Sequence, residues 1–256
     1  MTNGLALLSL VASTARPHGV TELARMAGLP KSHVHRLLQS LVAARYLEKD
    51  AQSRYRISVG ALRLGRELLR SFPIRRAALP EMMRLIGEDT RVSLVLAVPF
   101  GHEAISIAHL APDGNLRDVD TLGSVLSAHS SASGKLFLAH LPDTHLDEVL
   151  PRLEFNRQGP NTHPDAASLK TELPLIRQRG YSVNNCENGP STIGVAVPIR
   201  NREGEVIAAL GASARTDAST VEHLEEMALV LQKSSQGIEL SYETEDETEA
   251  HHRDHN

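Results

Sequence analysis

One glycine divides the stretch TELARMAGLPKSHVHRLLQSL, residues 21–41, into two helical patterns. Before it, ELARMA is a short amphipathic run that Thr21 can cap, and Gly28 is the residue type that stops a helix in the left-handed conformation. After it, Pro30 stands where a new helix starts. Val34, Leu37, Leu38 and Leu41 then recur at i, i+3, i+4 and i+7, one buried face. Two helices joined by so tight a turn must cross steeply. The flanks agree with that geometry. Residues 3–13 place Leu5, Leu8, Val11 and Ala12 at helical spacing, broadened by Leu7 and Leu10, before TARPHG breaks the pattern. YLEKDAQSRYRIS, residues 46–58, has two short β-prone arms around a polar turn, the pattern of a small hairpin. Helix, helix, glycine turn, helix, hairpin is the order of a winged helix-turn-helix, whose second turn helix enters a DNA major groove.

Charge supports this reading. Residues 1–76 carry 13 Lys and Arg against four Asp and Glu, a balance of +9; the other 180 residues carry 14 against 27, a balance of −13. A basic module on an acidic body is the pattern expected when only one of them meets a polyanion. With the apolar stripe of the second turn helix inward, Lys31, Ser32, His33, His35, Arg36 and Gln39 face outward. Ser32 and His33 can exchange hydrogen bonds with base edges, Arg36 can fork onto guanine or phosphate, and Gln39 can pair with adenine. Lys31, Arg45, Lys49, Arg54 and Arg56 suit phosphates, and Gln52, Ser53 and Arg54 form the tip of the wing. The DNA-binding set is therefore Thr21, Lys31, Ser32, His33, His35, Arg36, Gln39, Arg45, Lys49, Ser53 and Arg54. His33 and His35 do not make a metal pair, since i and i+2 point about 200° apart on a helix.

The expected class is α+β. A winged helix-turn-helix occupies residues 1–58 and a linker helix, VGALRLGRELLRS and its continuation, residues 59–76. A mixed α/β domain spans 77–240, and an acidic, His-rich tail, 241–256, is expected to be disordered. In the α/β part, VSLVLAVPFGHEAISIAHL reads as two strands, ASGKLFLAHL as a helix, and DAASLKTELPLIRQRG as a helix stopped by Gly180 with a kink at Pro174. TIGVAVPIRNREGEVIAALGAS reads as two strands and DASTVEHLEEMALVLQKSSQGIEL as a long helix. No run is long enough to span a bilayer. The N-terminus lacks the basic stretch of a signal peptide, and a lone cysteine, Cys186, allows no internal disulfide. A cytoplasmic protein is expected.

Four segments, taken together and in order, resemble the IclR (isocitrate lyase regulator) family of bacterial transcription factors over roughly residues 3 to 240. They are TELARMAGLPKSHVHRLLQSLVAARYLEKD, RYRISVGALRLG, SASGKLFLAHLP and RGYSVNNCENG…IGVAVPIRNREGEVIAALGASA. The resemblance implies that the α/β part is a GAF-like effector-binding domain. It also implies dimers through the N-terminal region, often paired into tetramers, that bind double-stranded operators near metabolic genes. Residues just before the family's GK line the effector pocket, here Ala132 and Ser133. Asn184, with Asn185 beside it, stands where many members have an acidic residue. Gly194, Gly211 and Ser213 match inward positions on the last two strands. The two glycines widen the pocket for a ligand larger than the smallest 2-oxo acids, or remove its usual contacts, or, like Ala132, simply permit close packing. SSASGK precedes a helix, whose free N–H groups suit a carboxylate. Lys135 could touch a ligand, but in this motif it faces away to support the helix.

The rival reading is an enzyme of the α/β domain using Cys186 or Ser133. SASGK lacks the upstream glycine of a phosphate-binding loop, and neither Gly-x-Ser-x-Gly nor His-Glu-x-x-His occurs. The expectation is a non-enzymatic regulator without cofactor, and the His-rich end reads as a solvated tail rather than a metal sensor.

Overall fold

The computed structural model describes residues 2–14, 16–87, 89, 91–113 and 122–253, with residues 245–253 described by backbone alone. The chain divides into two units, residues 1–71 and 72–256.

The first unit holds α1 (Thr2–Ala12), α2 (Val20–Ala27), α3 (Lys31–Ala43), the antiparallel pair β1 (Leu47–Lys49) and β2 (Tyr55–Ile57), a 3-10 turn and α4 (Leu62–Arg70). Gly28 closes α2 at φ 64°, and the Leu29 N–H reaches back to the Ala24 carbonyl at 3.1 Å, so chain reversal and helix stop are one event. The N-cap of α2 is Gly19; Thr21 sits inside the first turn, exposed, and does not cap. The core is Leu7, Val11, Leu23, Ala24, Val34, Leu38, Leu47 and Tyr55. In α1 the buried pair is Leu7 and Val11, whereas Leu5 and Ala12 are exposed. Leucines at 5, 7, 8 and 10 cover most of the helix circumference, so spacing alone leaves the phase open and packing on α3 decides it. Tyr55 is buried between β2 and α3, and its backbone pairs in both directions with His18.

The second unit is built on a six-stranded antiparallel sheet in the order β5-β4-β3-β8-β7-β6. Its strands are β3 (Ser93–Phe100), β4 (Glu103–Leu110), β5 (Val125–Leu126), β6 (Ser182–Asn185), β7 (Thr192–Arg200) and β8 (Val206–Arg215). The helices are α5 (Pro73–Ile86), α6 (Ala132–His140), α7 (Asp143–Val149), α8 (Ala166–Arg179) and α9 (Val221–Arg253). Alternation along the strands makes two unlike faces. One carries Leu94, Leu96, Val195, Val197, Ile199 and Leu210 against α5 and α9. The other carries Ala97, Ala196 and Ala209 against α6 and α8. Small side chains on that face let α6 lie deep in the molecule, with every residue from Ser133 to Ala139 buried.

Two boundaries differ from the sequence reading. The linker helix stops at Arg70, and Pro73 starts a separate helix, α5, as a first-turn proline does. The segment read as a disordered tail continues α9 as far as Arg253. Extending a formed helix is far easier than nucleating one, so polar composition alone does not end it. α8 runs on through Pro174.

The Gly134–Lys135 step has a packing reason. A Cβ on Gly134 would lie 2.2 Å from the Ser127 carbonyl and 2.7 Å from the Ala128 Cα. Gly134→Ala should therefore destabilise by about 1–3 kcal/mol, as overpacking does. Gly237→Ala, with no atom within 4 Å of the new Cβ, should stabilise α9 by about 0.5–1 kcal/mol. Urea unfolding of the two variants against wild type measures both.

Candidate nucleic-acid interface and ligand cavity

On α3, Val34 and Leu38 are fully buried, Leu37 and Leu41 half-buried, and Lys31, Ser32, His35, Arg36 and Gln39 exposed. His33 is half-buried, so it shares the edge of the outward face rather than its centre. Gln39 is already engaged: its amide donates to the Tyr55 hydroxyl at 3.2 Å and lies 3.5 Å from His35 Nε2. It braces the recognition helix against the wing, so pairing with adenine would require it to leave Tyr55. The wing is built by Asp50, whose Oδ1 accepts from the Gln52 and Arg54 N–H groups while Oδ2 accepts from Arg54 Nε at 3.0 Å. Ser53 takes φ 61° at its tip. Arg56 pairs with Glu48 across the hairpin, and Lys49 lies 5.8 Å from the Tyr55 ring centroid. Lys31, Arg36 and Arg45 make no ion pair among the described residues. Arg45 itself sits at φ 64° where the chain leaves α3.

In the second unit, six of the seven residues expected for the ligand come together. Ala132, Ser133, Asn184, Gly194, Gly211 and Ser213 line a cavity of about 130 Å³, joined by Val95, Leu126, Ser131, Asn188, Thr192, Val195 and Ala212. Asn185 does not line it. It follows Asn184 on β6, so its side chain points to the opposite face, and its carbonyl accepts from Asn161 Nδ2. The cavity sits at the head of α6. Ser131 caps that helix, accepting from the Gly134 N–H at 2.9 Å and donating to the Ser127 carbonyl at 2.7 Å. The N–H groups of Ala132 and Ser133 precede the intrahelical ladder. Asn184 Oδ1 accepts from the N–H groups of Glu187 and Asn188, at 2.9 and 3.2 Å. That leaves its Nδ2, a donor, as the group it can offer a ligand. No lining residue is ionisable. Helix N-terminus, amide donor and hydroxyls with no competing carboxylate favour an anion. The glycines are not simply spare room. A Cβ at Gly211 would stand 2.9 Å from the Val195 carbonyl, and one at Gly194 would stand 3.2 Å from that of Ala212.

Behind the cavity lies a cluster the sequence reading missed. Lys135 is fully buried and does not line the cavity. Its Nζ donates to Glu172 Oε2 at 2.8 Å and to Glu187 Oε1 at 2.7 Å. His163 Nε2 joins Glu172 at 2.8 Å, and Arg179 reaches the other oxygen of Glu172 at 3.2 Å. His163, Glu172 and Glu187 have the composition of a cation site, and the ammonium of Lys135 already supplies the cation. Burial alone would raise Glu172, but the His163 hydrogen bond and the charge of Lys135 bring it down to about 2. Glu187 is held above the ordinary carboxylate range by burial, with the neighbouring Glu172 charge adding to it against Lys135. The signal available in the sequence was a lysine inside an otherwise apolar helix, ASGKLFLA.

The profile described as "Bacterial transcriptional regulator IclR C-terminal" matches residues 66–240, and "IclR helix-turn-helix domain" matches residues 1–51. The chain is 28% identical to the HTH-type transcriptional regulator XynR of Escherichia coli, covering 90% of this chain and 94% of that one. It is also 28% identical to the transcriptional repressor IclR of the same organism, covering 94% and 89%. A solved IclR homologue from Microbacterium hydrocarbonoxydans, complexed with 4-hydroxybenzoate, superposes with a TM-score of 0.75 at 28% identity, over 95% of this chain and 99% of that one. The Thermotoga maritima IclR structure gives a TM-score of 0.69 at 27% identity, over 94% and 97%. These relatives are regulators, and an enzyme built on Cys186 or Ser133 finds no support among them.

A carboxylate depressed in the folded state stabilises the fold above its ordinary pKa and loses that contribution as it protonates. For Glu172 the window runs from the ordinary 4.5 down to about 2, and the contribution is on the order of 3 kcal/mol. Glu187 works in the opposite sense above 4.5, keeping its proton longer in the folded state. Acid titration of thermal stability should therefore fall more steeply between pH 4.5 and 2 in wild type than in Glu172→Gln. Parallel acid limbs would show that Glu172 carries none of it.

Proposed function

The chain belongs to the IclR family of bacterial transcriptional regulators, and from that premise we propose that it is a DNA-binding regulator whose operator affinity is set by a small carboxylate held at the head of α6. The observation that carries this reading is the neutral, donor-lined cavity where α6 begins. A ligand carboxylate fits the Ala132 and Ser133 N–H groups, with Asn184 Nδ2 and the Ser133, Thr192 and Ser213 hydroxyls around it. Val95, Leu126 and Val195 suit its apolar body. The 4-hydroxybenzoate complex of the Microbacterium homologue is a precedent for a carboxylate ligand in this family.

DNA is read by α3, with Ser32, His33, His35 and Arg36 toward the bases and Lys31, Arg45, Lys49 and Arg54 toward the backbone. The working form in this proposal is a homodimer, or a dimer of dimers. α4 has no buried residue, and Val59, Leu62, Leu64 and Leu68 are 86%, 74%, 56% and 55% exposed. A nine-residue helix without a packed face is unstable in water, and a second copy covers it. Two recognition helices on one symmetric operator follow from the same pairing. The ligand changes operator affinity only by the difference in its affinity for two states of that dimer. No helix among the described residues is long and apolar enough to cross a membrane. The cytoplasm, where the operator is, is the proposed location.

The test is a thermal-shift screen of small carboxylates, with operator binding measured for those that stabilise. Asn184→Asp, which turns the amide donor into a like charge, should weaken a stabilising carboxylate by at least tenfold; undiminished binding would remove Asn184 from the site. On the DNA side, the double variant Arg36→Ala, His33→Ala should lose sequence selectivity. Each lost base contact is worth about 1–3 kcal/mol. Wild-type operator affinity in that variant would overturn the assignment of α3.

A further inference from the structure

The Lys135 cluster joins two walls of the ligand cavity. One wall is the first turn of α6, Ala132 and Ser133; another is the 184–188 segment, which begins on the last residues of β6 and gives the cavity Asn184 and Asn188. The backbone N–H, the backbone carbonyl and Oε1 of Glu187 are all engaged in holding that turn. Its N–H goes to Asn184 Oδ1 at 2.9 Å, its carbonyl accepts from Thr162 Oγ1 at 2.6 Å, and its Oε1 accepts from the Asn185 N–H at 3.3 Å and from Lys135 at 2.7 Å. The turn also carries a non-glycine residue in the left-handed region, Cys186 at φ 55°, a conformation that persists only where its surroundings impose it. Lys135 lies two residues beyond Ser133, on the same helix. The first turn of α6 and the turn that aims Asn184 are therefore joined through one buried ammonium.

We propose that Lys135 and Glu187 are positioning residues for the cavity: their ion pair clamps the 184–188 turn onto α6 and so fixes the direction in which Asn184 offers its amide. Glu172, with His163 and Arg179 as further partners, holds the ammonium from the α8 side and keeps its own compensation if the clamp opens. The inference rests on the cavity reading above, but the clamp itself can be measured without any ligand.

The experiment uses the full chain as wild type, Glu187→Gln, and the double variant Lys135→Met, Glu187→Gln. Replacing both partners of a buried pair is often tolerated where removing one is not, so the double variant keeps the test open if the single one unfolds. Amide hydrogen exchange is read at the 187 and 188 N–H groups and, for comparison, along β7 and β8. The probes are benzoate, 4-hydroxybenzoate and propionate. Exchange at 187 and 188 is expected to rise at least tenfold in both variants, with β7 and β8 unchanged. Affinity for whichever probe wild type binds is expected to fall at least tenfold, with operator binding in the absence of probe unaltered. In the double variant, melting temperature recovers toward wild type while exchange and probe affinity do not. Unchanged exchange at 187 and 188, a uniform rise across the domain, or probe affinity that recovers together with melting temperature would overturn the clamp. If wild type binds none of the probes, the carboxylate reading of the cavity fails, and the exchange pattern alone decides the clamp.

Discussion

Lys135 has no water to reach. A fully buried ammonium must have its charge and its three donors met by the protein, and here Glu172 and Glu187 meet them from two different elements. Much of the second unit follows from that requirement. α8 must present Glu172 toward α6, and the loop after β6 must turn back so that Glu187 arrives as well. His163 and Arg179 are further partners of Glu172. A ligand cavity forms beside this cluster, yet its lining is uncharged. The charged groups stand behind the cavity wall rather than in its lining.

The sheet face under α6 makes this possible. Ala97, Ala196, Ala209 and Gly211 keep that face low, and Gly134 keeps the near side of the helix free of a Cβ. The opposite face, under α5 and α9, is filled with leucine, isoleucine and valine. One sheet thus supports a conventional apolar core on one side and a close-packed helix with a polar head on the other. The glycines that suggest an enlarged pocket, Gly194 and Gly211, lie close to backbone of the neighbouring strands.

The elements most legible in the sequence were those whose signal is local. Gly28, Pro30 and the stripe Val34, Leu37, Leu38, Leu41 define the turn unit within about four helical turns, and the hairpin around Asp50 has its turn residues in place. The phase of α1 was not legible, because its leucines point in too many directions for spacing to choose. Cavity residues are legible through family resemblance rather than spacing, and the resemblance alone does not give the strand phase that turns Asn185 away from Asn184. The ion cluster was beyond reach for a different reason. Lys135 meets Glu172 and Glu187 across 37 and 52 residues of chain, and no local pattern records a pairing at that range.

Charge in the first unit shows the same difference between counting and placement. A balance of +7 over residues 1–71, 11 Lys and Arg against four Asp and Glu, suggests a diffuse basic surface. In the structure, three of the four acids in that segment are committed: Glu22 to Arg16, Glu48 to Arg56 and Asp50 to Arg54. Asp50 and Arg54 shape the wing, and Gln39 and Tyr55 tie the wing to α3. The cations left without an ion pair among the described residues include Lys31 and Arg36 on α3 and Arg45 just beyond it. Beside Arg36, the outward positions of α3 hold the Ser32 hydroxyl, the His35 imidazole and the Gln39 amide. Phosphate contacts can fix the register of such a helix while hydroxyl, imidazole and guanidinium groups read by hydrogen bonds. Internal ion pairing thus takes Arg16, Arg54 and Arg56 out of the free positive charge and leaves Lys31 and Arg36 on the outward face of α3.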